Sequence, residues 1–398
     1  MKSFPVKQGV PGFRFAGQAS GIKKSGKDLG LILSDAPCAA AGVFTRNTVK
    51  AAPVLVCKKR TAKGTLQSVL VNSGNANACT GARGIRDAER TCAAAAQTLG
   101  IRERLVAPCS TGVIGVPLPA DTIISALPAL AAAAAPGGIP SFAESILTTD
   151  TGTKVVSLQE SVGGEPVRMC GIAKGAGMIM PNMATMLAFI VTDASVDSAL
   201  LARLVREQTE RTFNRISVDN DMSTNDTVLV MASGRRQRAL TGPRSRGCAA
   251  FAALLHEVMR RLARMIVVDG EGATKLLQIE VTRARSEADA KKAARQVASS
   301  CLVKTAFFGE DFNWGRIMGA LGSSGARFDP DRIDIFFNGV QAVKNSAGVQ
   351  GSIPRLRSIM KKKEIALQID LKSGSHCCTL TTCDLSYEYV KINADYTT

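Results

Sequence analysis

The stretch KGAGMIMPNMATMLAFIVTD, residues 174–193, constrains this chain more than any other. Gly175 and Gly177 admit backbone conformations closed to other residues, and Pro181 interrupts any helix. An apolar run then begins near Met183 and leads into Val191, as a buried strand requires. A flexible or strained connection thus enters a strand, and Thr185 stands at its mouth. Threonine is common in strands, so these residues by themselves favour a structural role for Thr185 over a catalytic one.

Around this stretch the pattern is that of a mixed chain. Residues 29–75 read as strand-rich: LGLILSD, AAGVFT and APVLVC are short apolar runs between turn residues, and SVLVNSGNANA ends a fourth in a polar loop. Apolar residues at helical spacing predict helices over 87–99 and 142–149. The alternation in KVVSLQESVGGEPVRM, 154–169, predicts a hairpin turning at Gly163 and Gly164. Further on, helices are expected at 200–213 and 249–265, and strands at DTVLVMASG and KLLQIEVTRA. Ser286 is placed to cap the helix SEADAKKAARQVASS. The last hundred or so residues alternate short strands and helices, with no repeat, so a two-domain α/β or α+β body is expected.

Composition excludes more than it identifies. With 398 residues and 45% hydrophobic content the chain can bury a large core. The net charge of +17 invites a nucleic-acid reading. Its clusters, Arg235, Arg236, Arg238, Arg244 and Arg246 in a Gly/Pro-punctuated loop and Lys361 to Lys363, lack the interleaved aromatics of a base-stacking surface. They read as solvated loops that aid solubility or attract an anionic substrate such as coenzyme A, so no nucleic-acid partner is expected. Eleven cysteines, an odd number without a disulfide-framework spacing, indicate a reducing, cytoplasmic setting. The N-terminus has no continuous apolar segment, and the alanine run 129–135 between Pro128 and Pro136 is too short to cross a bilayer; no membrane is expected.

Two histidines, His256 and His376, leave little for a Ser-His-Asp or Cys-His mechanism. The string 21–27, GIKKSGK, nearly spells a phosphate-binding loop, but Asp28 occupies the hydroxyl position, and a basic turn is expected. His376, Cys377, Cys378 and Cys383 contain no C-x2-C pair and read as structural, so neither metal nor cofactor is expected.

A resemblance changes the weight on Thr185. Lys174, Gly175, Gly177, Met178, Pro181, Ala184, Thr185, Met186 and Leu187 match the signature KG-x-GM-x-x-P and its Ala-Thr-Met-Leu junction in the ornithine acetyltransferase family of arginine biosynthesis, glutamate and amino-acid N-acetyltransferases. VNSGNANACTG (71–81), CSTGVIG (109–115), TTDT (148–151), SVDNDMSTNDT (217–227), VVDGEGATK (267–275), VKTAFFGEDFNWGRI (303–317) and INADYTT resemble the same family, in order along nearly the whole chain.

The resemblance implies self-cleavage between Ala184 and Thr185, giving an α-chain of 1–184 and a β-chain of 185–398. The fold it implies is an N-terminal-nucleophile-like α/β/β/α sandwich built by 1–184 and 185–284, with a smaller α+β domain over 285–398 whose tail returns to the active site. Thr185 would carry acetyl from N-acetylornithine to glutamate in a ping-pong scheme. Thr111 and Gly112 would form the oxyanion hole; Thr151, Lys174, Thr185, Glu271, Asn393 and Thr398 would contact substrate. A heterotetramer of two α and two β chains is also implied. Two matters stay open: whether acetyl-CoA is a second donor, which the positive charge favours, and whether the ester is resolved by water, as in related self-processing aminopeptidases. Cys109, the Cys377–Cys378 pair and the Arg-rich 235–246 segment match no motif of the family.

Overall fold

A computed structural model describes residues 1–180 and 186–395. The hairpin expected at Gly163–Gly164 is there: Lys154–Val162 and Glu165–Lys174 pair from Val162↔Glu165 to Lys154↔Ala173, with both turn glycines at positive φ. The strand Leu187–Thr192 lies between this hairpin and Thr227–Ala232, antiparallel to the first and parallel to the second.

Among the described residues nine strands join in one sheet. Its pivot is the strand Leu29–Phe44. Residues 29–34 pair with Phe13–Gln18, while residues 39–44 pair with Thr227–Ala232. Between them, where Asp35, Ala36 and Pro37 are exposed, the register with Thr65–Asn75 shifts. Proline has no amide to give a ladder, so a break there is expected. The sheet folds on itself at this bulge, and its two halves face each other.

Side-chain alternation shows the layering. Leu187, Phe189, Val191, Leu229 and Met231 point inward to meet Phe13, Phe15, Ile32, Val69 and Val71 of the other half. Phe142 wedges into this middle layer, edge-on to Phe15 and to Phe189 at 6.3 and 5.5 Å between centroids. The intervening residues Ala188, Ile190, Val228 and Val230 point outward under the helices Ser198–Arg211 and Cys248–Val268. On the opposite outside, Leu29, Leu31, Leu33 and Leu70 lie under Gly81–Leu99 and Ala120–Ala132. Helix, sheet, sheet, helix is the expected sandwich.

Two expectations need correction. APVLVC, read as a strand, opens the helix Ala52–Thr61: Pro53 stands in its first turn and Lys58, Lys59 and Arg60 in its last, which suits a helix dipole. A short apolar run does not by itself separate strand from buried helix. The second correction concerns the domain boundary at 285. Leu276–Ala284 is a central strand of a separate six-stranded sheet, paired with Glu364–Asp370 and His376–Cys383. Leu277, Ile279 and Val281 join its own core with Ala290, Ala294 and Phe307, so the second body begins near residue 276.

The near-P-loop proves to be a turn built around its own anion. Buried Asp28 accepts from the amides of Ser20, Gly21, Ile22 and Lys23 at 2.6–3.2 Å and from the Ser20 hydroxyl. Its carboxylate fills the space a phosphate would need. Among the described residues no helix is long and apolar enough to cross a membrane.

Candidate active site

The cleavage junction Ala184–Thr185 and the terminal Thr398 lie outside the described residues. The site is therefore built from what surrounds them. Lys174 ends its strand paired with Leu187, two residues beyond Thr185. This antiparallel register joins two positions thirteen residues apart, which sequence spacing alone could not.

At the same end of the sheet, Ser110, Thr111 and Gly112 complete the strand Val106–Val113. Gly112 has φ +133 and lies in register with Gly74; a Cβ there would stand 2.4 Å from the Gly74 carbonyl carbon. Both the conformation and the approach demand glycine. Lys174 Nζ donates to Thr111 Oγ at 3.3 Å. The Thr111 hydroxyl accepts from an ammonium, which leaves its own proton to be donated elsewhere.

Glu271 arrives from the turn after the helix Cys248–Val268. Its amide donates to Ala176 O at 2.9 Å, and its carboxylate rests on Gly177, where a Cβ would meet Oε2 at 2.3 Å. Asn393, on the C-terminal helix Tyr387–Asp395, donates from Nδ2 to Glu271 Oε2 at 2.8 Å. The second body thus sends its last helix back over the first.

These residues share a cavity of about 260 Å³, lined by Thr111, Gly112, Lys174, Glu271 and Asn393. Thr151 is placed differently. Its amide and hydroxyl both donate to Asp269, and it borders a neighbouring depression, while Thr148 and Thr149 of the same block face the cavity. Side chains two and three positions apart in a loop need not share a direction, and the block alone could not choose among its threonines.

Further residues line the cavity: Asp219, Asp221, Ser223, Thr224 and Asn225 from the SVDNDMSTNDT block, to which the resemblance assigns no role, and Tyr389, which no matched motif contains. Asp219 accepts from the amides of Met178 and Ile179 at 2.5 and 2.8 Å. Met178 sits at φ +57, an uncommon conformation for a side chain of its size, so Asp219 clamps a strained approach to the junction. Burial raises the Asp219 carboxyl, with these amides opposing the rise. Asp226 is fully buried; Oδ1 accepts from the amide of Met186 at 3.1 Å, and among the described residues Oδ2 has no hydrogen-bond partner. Burial pushes this carboxyl well above the usual carboxylate range.

The Arg-rich segment lies elsewhere. Arg236 pairs with buried Asp193, and Arg238 donates to the Gly163 carbonyl at the hairpin turn. Asp193 follows Thr192, the far end of the strand from Leu187, so this basic surface is about 17–20 Å away along the strand. Of the C-terminal cysteines, Cys378 accepts from Arg215, Cys383 lies 3.6 Å from Lys304 Nζ, and Cys377 is exposed.

Comparison with known proteins shows the family. A model of the ArgJ family matches residues 14–398. The arginine biosynthesis bifunctional protein ArgJ of Geobacter sulfurreducens is 52% identical over 391 residues, 98% of this chain and 100% of that protein. Its counterpart in Symbiobacterium thermophilum is 49% identical, covering 97% of each. Among solved structures, ArgJ of Bacillus halodurans is 40% identical with a TM-score of 0.50, covering 52% of this chain and 98% of its own. An ornithine acetyltransferase of Mycobacterium tuberculosis, complexed with ornithine, is also 40% identical, with a TM-score of 0.42, 46% of this chain and 98% of its own. From its motifs, its layered fold and relatives that match it over nearly its whole length, the chain belongs to the ArgJ family.

Proposed function

We propose that the cavity transfers acetyl from N-acetylornithine to glutamate through an ester on Thr185, exposed by self-cleavage after Ala184. The observation that carries this reading is convergence: Thr111 and Gly112, Lys174, Glu271 and Asn393, from four separate segments, line one cavity at the strand end that Thr185 adjoins in sequence. The names of the curated relatives place them in arginine biosynthesis, and the Mycobacterium tuberculosis structure holds ornithine.

In maturation the Thr185 hydroxyl attacks the Ala184 carbonyl, the C–N bond breaks as the amine leaves with a proton, and water opens the resulting ester. The strained Met178 and its clamp by Asp219 support a distorted approach to that bond. The freed α-amine, with an unperturbed pKa of about 7.7–8.0, then serves as base for its own hydroxyl, so no histidine is required. The solved Bacillus halodurans chain matches 52% of this one, about the share that one product of such a cut would have.

In transfer, the Thr185 oxygen attacks the acetyl carbonyl of N-acetylornithine while the α-amine takes the hydroxyl proton. Thr111 and Gly112 donate to the oxyanion. Its collapse expels ornithine, whose nitrogen recovers the proton, and the glutamate amine attacks the acetyl ester in the reverse sequence. Lys174 meets a substrate carboxylate and Glu271 an ammonium, with Asn393 and Thr398 as further substrate contacts. Thr151 acts at one remove, through Asp269. A cavity of about 260 Å³, below the roughly 300 Å³ at which drug-sized pockets begin, suits one amino-acid substrate at a time, as ping-pong transfer requires.

The bifunctional name of the relatives supports acetyl-CoA as a second donor. Two α and two β chains would assemble in the cytoplasm. Denaturing electrophoresis with N-terminal sequencing tests the core of the reading: fragments 1–184 and one beginning TMLAFIVTD are expected, and an intact chain with full acetyl transfer would refute it. Transfer that proceeds equally without glutamate would favour hydrolysis.

A further inference from the structure

Behind Lys174 lies a group of buried charges that makes no contact with the cavity itself. Asp150 is fully buried, and Lys154 Nζ bridges it at 2.6 Å to Asp269 at 2.5 Å. The other Asp150 oxygen lies 4.0 Å from Lys174 Nζ. The same carboxylate accepts from the amide of Gly175 at 2.6 Å, and Gly175 sits at φ +149. One side chain therefore holds both the ammonium of Lys174 and the backbone directly after it.

We propose that Asp150 is a positioning residue for the acetyl-transfer site: it fixes Lys174 as a cation aimed past Thr111 into the cavity, and so sets where a substrate carboxylate binds. Lys154 has a defined part in this. By neutralising Asp150 and tying it to Asp269, it keeps the pair from competing for the cationic end of the substrate, which is left to Glu271. Asp269 also receives the amide and hydroxyl of Thr151 and ends the helix two residues before Glu271. Both polar walls of the cavity therefore rest on one chain of charges, Lys174–Asp150–Lys154–Asp269.

The electrostatics agree with the geometry. Lys174 is faced by Asp150, by Lys154 from the hairpin, by Glu271 from the turn after the long helix and by Asp226 from the segment before Thr227–Ala232. Burial lowers its ammonium below the usual lysine value; Asp150 is the largest opposing influence, while Lys154 adds to the fall. Burial would raise Asp150, but Lys174, Lys154 and the Gly175 amide together hold it below the usual carboxylate value. The charge of Asp150 is thus the largest single influence that opposes loss of the Lys174 proton.

The inference rests on the reading of the cavity as the acetyl-transfer site, and the test separates the two. Asp150→Asn and Asp150→Glu are compared with Lys174→Met in the full chain, with KM and kcat for glutamate followed against pH. Asp150→Asn is expected to raise KM about tenfold with kcat changed less than about threefold, and to move the alkaline limb of kcat/KM down by about one pH unit. Asp150→Glu restores most of both. On a Lys174→Met background the Asp150→Asn change adds less than about twofold. If Asp150→Asn does not fold, Asp150→Asn/Lys154→Met, which leaves the net buried charge unchanged, takes its place. An unmoved alkaline limb, or a KM loss that adds in full to Lys174→Met, overturns the proposal. The titration of Lys174 itself, followed by NMR with labelled lysine, distinguishes the failures. A drop in Asp150→Asn with an unmoved kinetic profile sinks the site reading and keeps the coupling; no drop sinks the coupling.

Discussion

Lys174 and Lys304 are buried to nearly the same degree, 4% and 3% exposed, one at the cavity and one at the seam of the second body. Lys304 spends its ammonium on neutral acceptors: Thr382 Oγ at 3.2 Å, the Cys383 carbonyl and the Cys383 sulfur. An ammonium has three donors, and here all three are engaged. Among the described residues Lys174 touches the Thr111 hydroxyl, stands 4.0 Å from Asp150 and borders the cavity. Burial is common to both. The functional difference is that Lys304 is satisfied within the protein, whereas Lys174 is held charged with bonding capacity to spare.

The largest expected effect falls on neither lysine. Thr185→Ala is expected to leave the chain uncut and to lower acetyl transfer by on the order of 10⁵-fold, read by electrophoresis and by ornithine release. Full transfer by that variant would sever the cavity from the chemistry. The hydroxyl partners of the two lysines sharpen the comparison next. Thr111→Val should lower kcat by about 10²–10³-fold with stability little changed, because a donor to the oxyanion is lost. Thr382→Val should change kcat less than about twofold and cost about 0.5–1.5 kcal/mol in denaturant unfolding, the worth of an ordinary hydrogen bond. Similar kinetics for the two would erase the distinction. Lys304→Met should likewise leave transfer intact and destabilise by about 1–3 kcal/mol, since the Cys383 carbonyl loses its donor.

Asp226 supplies the gentlest test, because burial outweighs the pull of Lys174 on it, whereas Lys174 and Lys154 together hold Asp150 low. Its carboxyl binds a proton in the folded chain to a higher pH than the unfolded value of about 3.9. Above that value the folded state holds more protons than the unfolded one, so the contribution of Asp226 to stability falls as pH rises. Asp226→Asn should therefore raise Tm at neutral pH relative to the parent and leave it unchanged near pH 3. An equal change at both would show that the group does not titrate as its burial requires.

Much of the fold was legible in the sequence where the signal is local. Gly163–Gly164 between alternating segments marked a hairpin, and the long helix came out as Cys248–Val268 because its apolar stripe repeats at helical spacing. Ser286 does cap its helix, accepting from the Asp289 amide. APVLVC misled because a run of so few residues has no period to read, and the boundary at 285 fell late because a strand's membership in one sheet or another depends on its partners. Thr151 was drawn toward the cavity by its block, yet its hydroxyl is committed to Asp269.

What the sequence determined by itself is the set of chemical parts and their local shapes: the glycine-rich approach to Thr185, the apolar strand after it, and motifs specific enough to name a family. Only the tertiary structure decided which of those parts meet. The Lys174↔Leu187 register, the fold of the sheet at Asp35–Pro37 and the return of the Tyr387–Asp395 helix bring positions 111, 174, 271 and 393 around one cavity. The reason is physical. Helical and strand periods reflect hydrogen bonds and burial within a few residues, whereas the charge on Lys174 depends on Asp150, a neighbour that only strand pairing and packing bring near.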